Sequence, residues 1–138
     1  MNSSSQNEMP LVLIVEDDQA TSSILHIWLR LRCRTLLASD GEKALQLVKE
    51  HTQAEKKIDL FIFDISLPYP WSGITLKSEI VSHWPVYATV PFIAETAFAM
   101  PHDRQAILGA GFAEYLIKPL DRSLLVETVN RYLQGSYL

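Results

Sequence analysis

The 138-residue chain is 48% hydrophobic and 20% charged, a globular composition whose length suits one compact domain with a real core. Its net charge of -4 argues against nucleic-acid binding through a broad basic face, and the small cluster Arg30, Arg32 and Arg34 is placed to complement a helix C-terminus. A single cysteine, Cys33, excludes a disulfide framework and a cysteine metal knuckle; a packed, inert thiol in a reducing compartment is expected. Residues 1–9 lack the basic start and apolar stretch of a signal peptide, and no apolar run approaches membrane-spanning length. The chain is therefore read as cytoplasmic and free of membrane, with a flexible tail over 1–9 and one domain over 10–138.

In chain order, Leu11-Val12-Leu13-Ile14-Val15 reads as a buried strand ending in Glu16-Asp17-Asp18. Asp18 is placed to cap a helix running to about Arg32, with Ile24, Leu25, Trp28 and Leu29 at helical spacing. A short strand over Arg34–Ala38 leads to Ser39-Asp40-Gly41, and Ala44, Leu45, Leu47 and Val48 mark a second helix that dissolves near His51-Thr52-Gln53. The run Ile58-Asp59-Leu60-Phe61-Ile62-Phe63-Asp64 has the length and aromatic, β-branched content of a central strand, stopped by Ser66, Pro68 and Gly73. Ile74, Leu76, Ile80 and Val81 suggest a third helix stopped by Pro85. A fourth strand is expected over Val90–Ala94, a fourth helix between Pro101 and Leu108, a fifth strand over Glu114–Ile117, and a closing helix from the Asp121 cap through Leu133. Five strands alternating with five helices, joined by right-handed crossovers, predict an α/β fold: one doubly wound parallel sheet of flavodoxin-like order 2-1-3-4-5, with helices on both faces.

The switch point of that order lies between strands one and three, the two that end in carboxylates. Strand four delivers Glu95-Thr96-Ala97 to the same edge and strand five delivers Lys118-Pro119. Close carboxylates need a counterion, and an all-oxygen site suits Mg²⁺ or Mn²⁺, with Lys118 neutralising the remainder. A phosphoryl group on Asp64 would find metal, ammonium and the Thr96 hydroxyl around its oxygens, the arrangement that phosphoryl transfer requires, with the carboxylate as nucleophile.

The pieces Leu13-Ile14-Val15-Glu16-Asp17-Asp18, Phe61-Ile62-Phe63-Asp64-Ile65-Ser66-Leu67-Pro68, Glu95-Thr96-Ala97 and Tyr115-Leu116-Ile117-Lys118-Pro119 resemble, in order and over nearly the whole chain, the receiver domains of two-component response regulators. The resemblance implies that Asp64 accepts phosphate from the phosphohistidine of a histidine kinase or histidine phosphotransfer protein. It implies that Asp17 binds the divalent metal directly, Glu16 through water, and the Ser66 backbone carbonyl as a further ligand. Thr96 and Lys118 would hold the phosphoryl oxygens, and Thr96 with Tyr115 would form the switch that alters the face of helix four, strand five and helix five. An output protein would read that face, through which a homodimer is also expected; without a DNA-binding or enzymatic output domain after Leu133, the expectation is a stand-alone receiver or one domain excised from a larger protein. The Lys-Pro peptide is usually cis in the family.

Three departures from the family pattern stand out. The loop Tyr69-Pro70-Trp71-Ser72 before Gly73 is one residue longer than usual, and Trp71 is placed to shield the phosphate or contact a partner. Glu95 stands where an apolar residue is common, and strand alternation aims it away from the threonine side. Phe98 occupies a position that influences water access, which suggests slow hydrolysis. These features sustain a second reading, a receiver-like interaction module that no longer uses phosphate. A flavodoxin-like cofactor protein is disfavoured because Glu-Asp-Asp after strand one repels phosphate, and a phosphohydrolase because Ser66 stands where a second acid is needed. Asp18 is assigned to helix capping, and His26, His51, His83 and His102 lack ligand spacing.

Overall fold

The computed structural model describes residues 9–97 and 100–134. Its elements are β1 (Leu11–Val15), α1 (Gln19–Leu29), β2 (Arg34–Ala38), α2 (Gly41–Gln53), β3 (Leu60–Asp64), α3 (Gly73–His83), a 3-10 turn (Pro85–Thr89), β4 (Phe92–Thr96), α4 (Pro101–Gly109), β5 (Glu114–Ile117) and α5 (Arg122–Leu133). The strands are all parallel in the order β2-β1-β3-β4-β5, as the alternation predicts.

Three boundaries differ from expectation, the simplest being β3, which begins at Leu60 and not at Ile58. The 3-10 turn takes up the Pro85-Val86-Tyr87 segment, where Pro85 cannot continue α3, and β4 consequently starts at Phe92 and runs two residues further, to Thr96. The first helix ends at Leu29 rather than Arg32, and the amides of Arg32 and Cys33 turn back onto the Leu29 carbonyl. Four of the five helices start where a short polar side chain can accept an orphan amide: Asp18 from Thr21, Asp40 from Lys43, Asp121 from Leu124, and Ser72 in a reciprocal capping box with Thr75. Proline opens α4 instead.

Because successive strand residues point to opposite faces, the core divides in two. Leu11, Leu13, Val15, Phe61, Phe63, Phe92 and Ala94 face α2, α3 and α4, where Phe61 stacks on Phe92 at 4.3 Å between ring centroids. Val12, Ile14, Leu60, Ile62, Ile93 and Leu116 face α1 and α5. Cys33 is buried in this second layer, and burial pushes its thiol up to about 12, which makes it inert. No helix among the described residues is long and apolar enough to cross a membrane.

Candidate functional site

The same alternation that divides the core selects the side chains at the carboxyl edge. Two residues beyond Ile14, Ile62, Ile93 and Leu116, and so on the same parity, lie Glu16, Asp64, Glu95 and Lys118, all on the α1/α5 side. Asp64 and Glu95 are partners in the parallel register of β3 and β4. Thr96 and Tyr115 fall on the opposite parity, with Tyr115 packed against the α2/α3/α4 layer.

Lys118 Nζ lies 3.0 Å from Asp64 Oδ2, 3.1 Å from Glu16 Oε1 and 3.6 Å from Glu95 Oε1. Its side chain is 27% exposed while the three carboxylates are buried. Its peptide bond to Pro119 is cis, as the resemblance implies, and its amide donates to the Thr96 carbonyl at 2.8 Å. Thr96 is itself buried. The Asp18 amide donates to Glu16 Oε2 at 2.9 Å and the Ser66 amide to Asp64 Oδ1 at 2.9 Å.

The environment separates the three acids. Burial, then contact with the Glu16 carboxylate, pushes Glu95 up to about 10, so without a cation it stays protonated at neutral pH. Glu16 is drawn down to about 2: burial opposes ionisation, but hydrogen bonds from Glu95, the Asp18 amide and Lys118 outweigh it. Burial is the largest influence on Asp64 and raises it, against the lowering effect of Lys118 and the Ser66 amide. Lys118 loses solvation, yet its bonds to Asp64 and Glu16 hold its ammonium above the ordinary lysine range.

Glu16, Asp64 and Glu95 each offer an oxygen, all within 4.8 Å of one another. Neither oxygen of Glu95 has a protein hydrogen-bond donor among the described residues, and the donors on offer are all oxygens, so the set fits a hard divalent cation. Two of these three carboxylates, Glu16 and Asp64, belong to the expected ligand set, and the third, Glu95, does not. Asp17 is exposed beyond the end of β1 and outside this group, while Glu95 is inside it. Alternation does aim Glu95 away from the Thr96 side, but Asp64 and Lys118 lie on the side it then faces. The missed signal was the register: the last residues of adjacent parallel strands share a face whenever they pair, as Asp64 and Glu95 do.

Ser66 is exposed directly after β3, and Tyr115 is half-buried with the Arg104 guanidinium 5.5 Å from its ring centroid. Trp71 is held by α2: its indole Nε1 donates to Glu42 Oε1 at 3.0 Å and its ring lies on Gly41. Phe98 lies outside the described residues, as does most of the N-terminal tail.

The family model for the response regulator receiver domain matches residues 12–130. The chain belongs to that family. Among its relatives, the polar-differentiation response regulator DivK of Brucella anthropi is 31% identical over 123 residues, covering 88% of this chain and 94% of DivK. An uncharacterized 14.6 kDa protein of Leptolyngbya boryana is 33% identical over 122 residues, covering 88% of both chains. Hybrid signal transduction histidine kinase G of Dictyostelium discoideum is 33% identical over 124 residues, but these span 88% of this chain and 3% of the kinase. A solved structure of a putative response regulator from Chloroflexus aurantiacus superposes with a TM-score of 0.78 at 31% identity, covering 91% of this chain and 98% of the other. The chemotaxis protein CheY4 of Vibrio cholerae shares the fold, with a TM-score of 0.80 at 23% identity over 91% of this chain and 99% of that one. The receiver is thus a signalling domain of two-component systems, whose members work with histidine kinases and output proteins.

Proposed function

We propose that this receiver is a phosphorylation-controlled switch that accepts a phosphoryl group on Asp64 from a histidine kinase or histidine phosphotransfer protein. The observation that carries the reading is the 3.0 Å contact between Asp64 and Lys118 in a crevice that Glu16 shares. The nucleophile is buried at the sheet's carboxyl edge, where one fixed ammonium serves both the attacking carboxylate and the incoming charge. In the transfer, an Asp64 carboxylate oxygen forms a bond to phosphorus as the phosphorus–nitrogen bond of phosphohistidine breaks, and its electron pair returns to the imidazole. Lys118 and the Thr96 hydroxyl hold the phosphoryl oxygens. Glu16, Asp17, Asp64 and the Ser66 carbonyl hold Mg²⁺ or Mn²⁺, which supplies positive charge to those oxygens when bound. Thr96 and Tyr115 then carry the change to the face of α4, β5 and α5, read by an output protein or a second copy of the chain.

The test is incubation with Mg²⁺ and acetyl phosphate followed by intact mass measurement. Wild type is expected to gain one phosphoryl group only when Mg²⁺ is present, and a folded Asp64→Asn variant none. Labelling of that variant at the wild-type rate would defeat the assignment.

A second reading, a phosphate-independent interaction module, is favoured by one feature: the buried Glu95 carboxyl adds an acid beside the position a phosphoryl group must take. A wild-type protein that binds Mg²⁺ yet gains no phosphate would select it.

A further inference from the structure

We infer that Glu95 is a divalent-cation ligand, a carboxylate that this receiver adds to Glu16, Asp17 and Asp64. The inference rests on the reading of the crevice as a metal-assisted phosphoacceptor site, and it adds a residue outside the ligand set that the family resemblance implies.

Position comes first. Glu95 ends its strand in register with Asp64, and the two side chains leave the sheet on the same face towards Glu16. Burial comes second. The Glu95 side chain is 0% exposed, and among the described residues no donor reaches either of its oxygens, although an acceptor this deep ordinarily finds one; without a cation its contact is with the Glu16 carboxylate. What faces it is another acceptor, the Glu16 carboxylate, and an ammonium 3.6 Å away that makes closer contacts with Asp64 and Glu16. Charge comes third. Glu16, Asp64 and Glu95 around Lys118 leave two negative charges in excess when ionised, and Asp17 adds a third, an excess that draws a divalent cation. Oxygens of all three acids already lie within 4.8 Å of one another. Mg²⁺ surrenders coordinated water reluctantly, so direct ligation by Glu95 also favours Mn²⁺ over Mg²⁺.

The experiment measures Mn²⁺ binding to the full chain from the loss of the free Mn²⁺ paramagnetic resonance signal, with Mg²⁺ as competitor. Wild type, Glu95→Gln and Glu95→Leu are compared at one pH with thermal melts alongside. Expected is a dissociation constant for Mn²⁺ raised roughly tenfold or more in the variants, with a reduced preference for Mn²⁺ over Mg²⁺. Equal or tighter Mn²⁺ binding by whichever variant melts like wild type overturns the inference and leaves the phosphoacceptor reading standing. Losses in the same proportion for both ions mark a charge acting at a distance and overturn direct ligation. Wild type that binds neither ion overturns it as well, and acetyl phosphate labelling of Asp64 then decides the underlying reading separately.

Discussion

Three buried acids around one ammonium give this receiver a proton inventory that can be read from its stability. Glu95 keeps a proton up to about pH 10 in the folded chain, whereas the same group ionises near 4.5 when unfolded. Between those values the unfolded state binds fewer protons, so rising pH favours unfolding, and metal-free stability should fall from about pH 5 towards pH 9. Glu16 acts in the opposite sense: its value near 2 supports the fold above 4.5 and loses that support as pH falls towards 2. Glu95→Gln should therefore flatten the alkaline limb of the melting profile and leave the acid limb in place; an unchanged alkaline slope would contradict this assignment of the proton. Lys118 is the counterpart. Lys118→Ala leaves Asp64 and Glu16 facing one another without an ammonium, at a cost of roughly 1.5–3 kcal/mol by the usual worth of hydrogen bonds to charged groups. Melts with and without Mg²⁺ check it, since saturating Mg²⁺ should recover part of the loss. At this scale Asp64, Glu16 and Lys118 were legible because each follows an apolar strand at the edge where such sheets bind ligands. Glu95 was not, because its acidity read as an exception to an apolar pattern and the register that pairs it with Asp64 cannot be counted from one strand alone.

At the scale of elements, the long segment between β3 and α3 is held by α2. Gly41 opens α2, and a Cβ there would come within 2.3 Å of the Trp71 ring, so the absence of a side chain is what seats the indole. The bond from Trp71 Nε1 to Glu42 fixes its orientation. Gly41→Ala should lift Trp71 from this seat and destabilise the fold by about 1–3 kcal/mol, the range for overpacked contacts. In a Trp28→Phe, Trp84→Phe background the emission of Trp71 should shift towards that of a solvated indole, and an unshifted spectrum would show that the segment does not depend on Gly41. The seat had no sequence signature: Glu42 and Trp71 are 29 residues apart, and only closure of the β2–α2–β3 crossover brings them together. Strands and caps were more legible. β2 and β5 occupy the ranges expected of them, and Asp18 and Asp121 cap the helices assigned to them. Period-2 and period-3.6 patterns are local, whereas the 3-10 turn that displaced β4 depends on how Tyr87 is buried against Phe61.

For the whole molecule, stability concentrates where β3 and β4 meet. Phe61 stacks on Phe92 and makes edge contacts with Phe63 and Tyr87. Phe61→Ala should cost about 3–5 kcal/mol, measured by denaturant unfolding, while leaving the carboxyl edge chemically intact. The topology itself was legible from alternation alone, because right-handed crossovers leave few ways to arrange five parallel strands. That same sheet is a wall with two sides. Neighbours on β4, Glu95 and Thr96, belong to opposite rooms: the acid joins the charged crevice, and the hydroxyl shares the parity of the layer where Tyr115 packs against the core. A single peptide thus forms the partition: the last two residues of β4 hang on one backbone link, yet each furnishes a different room.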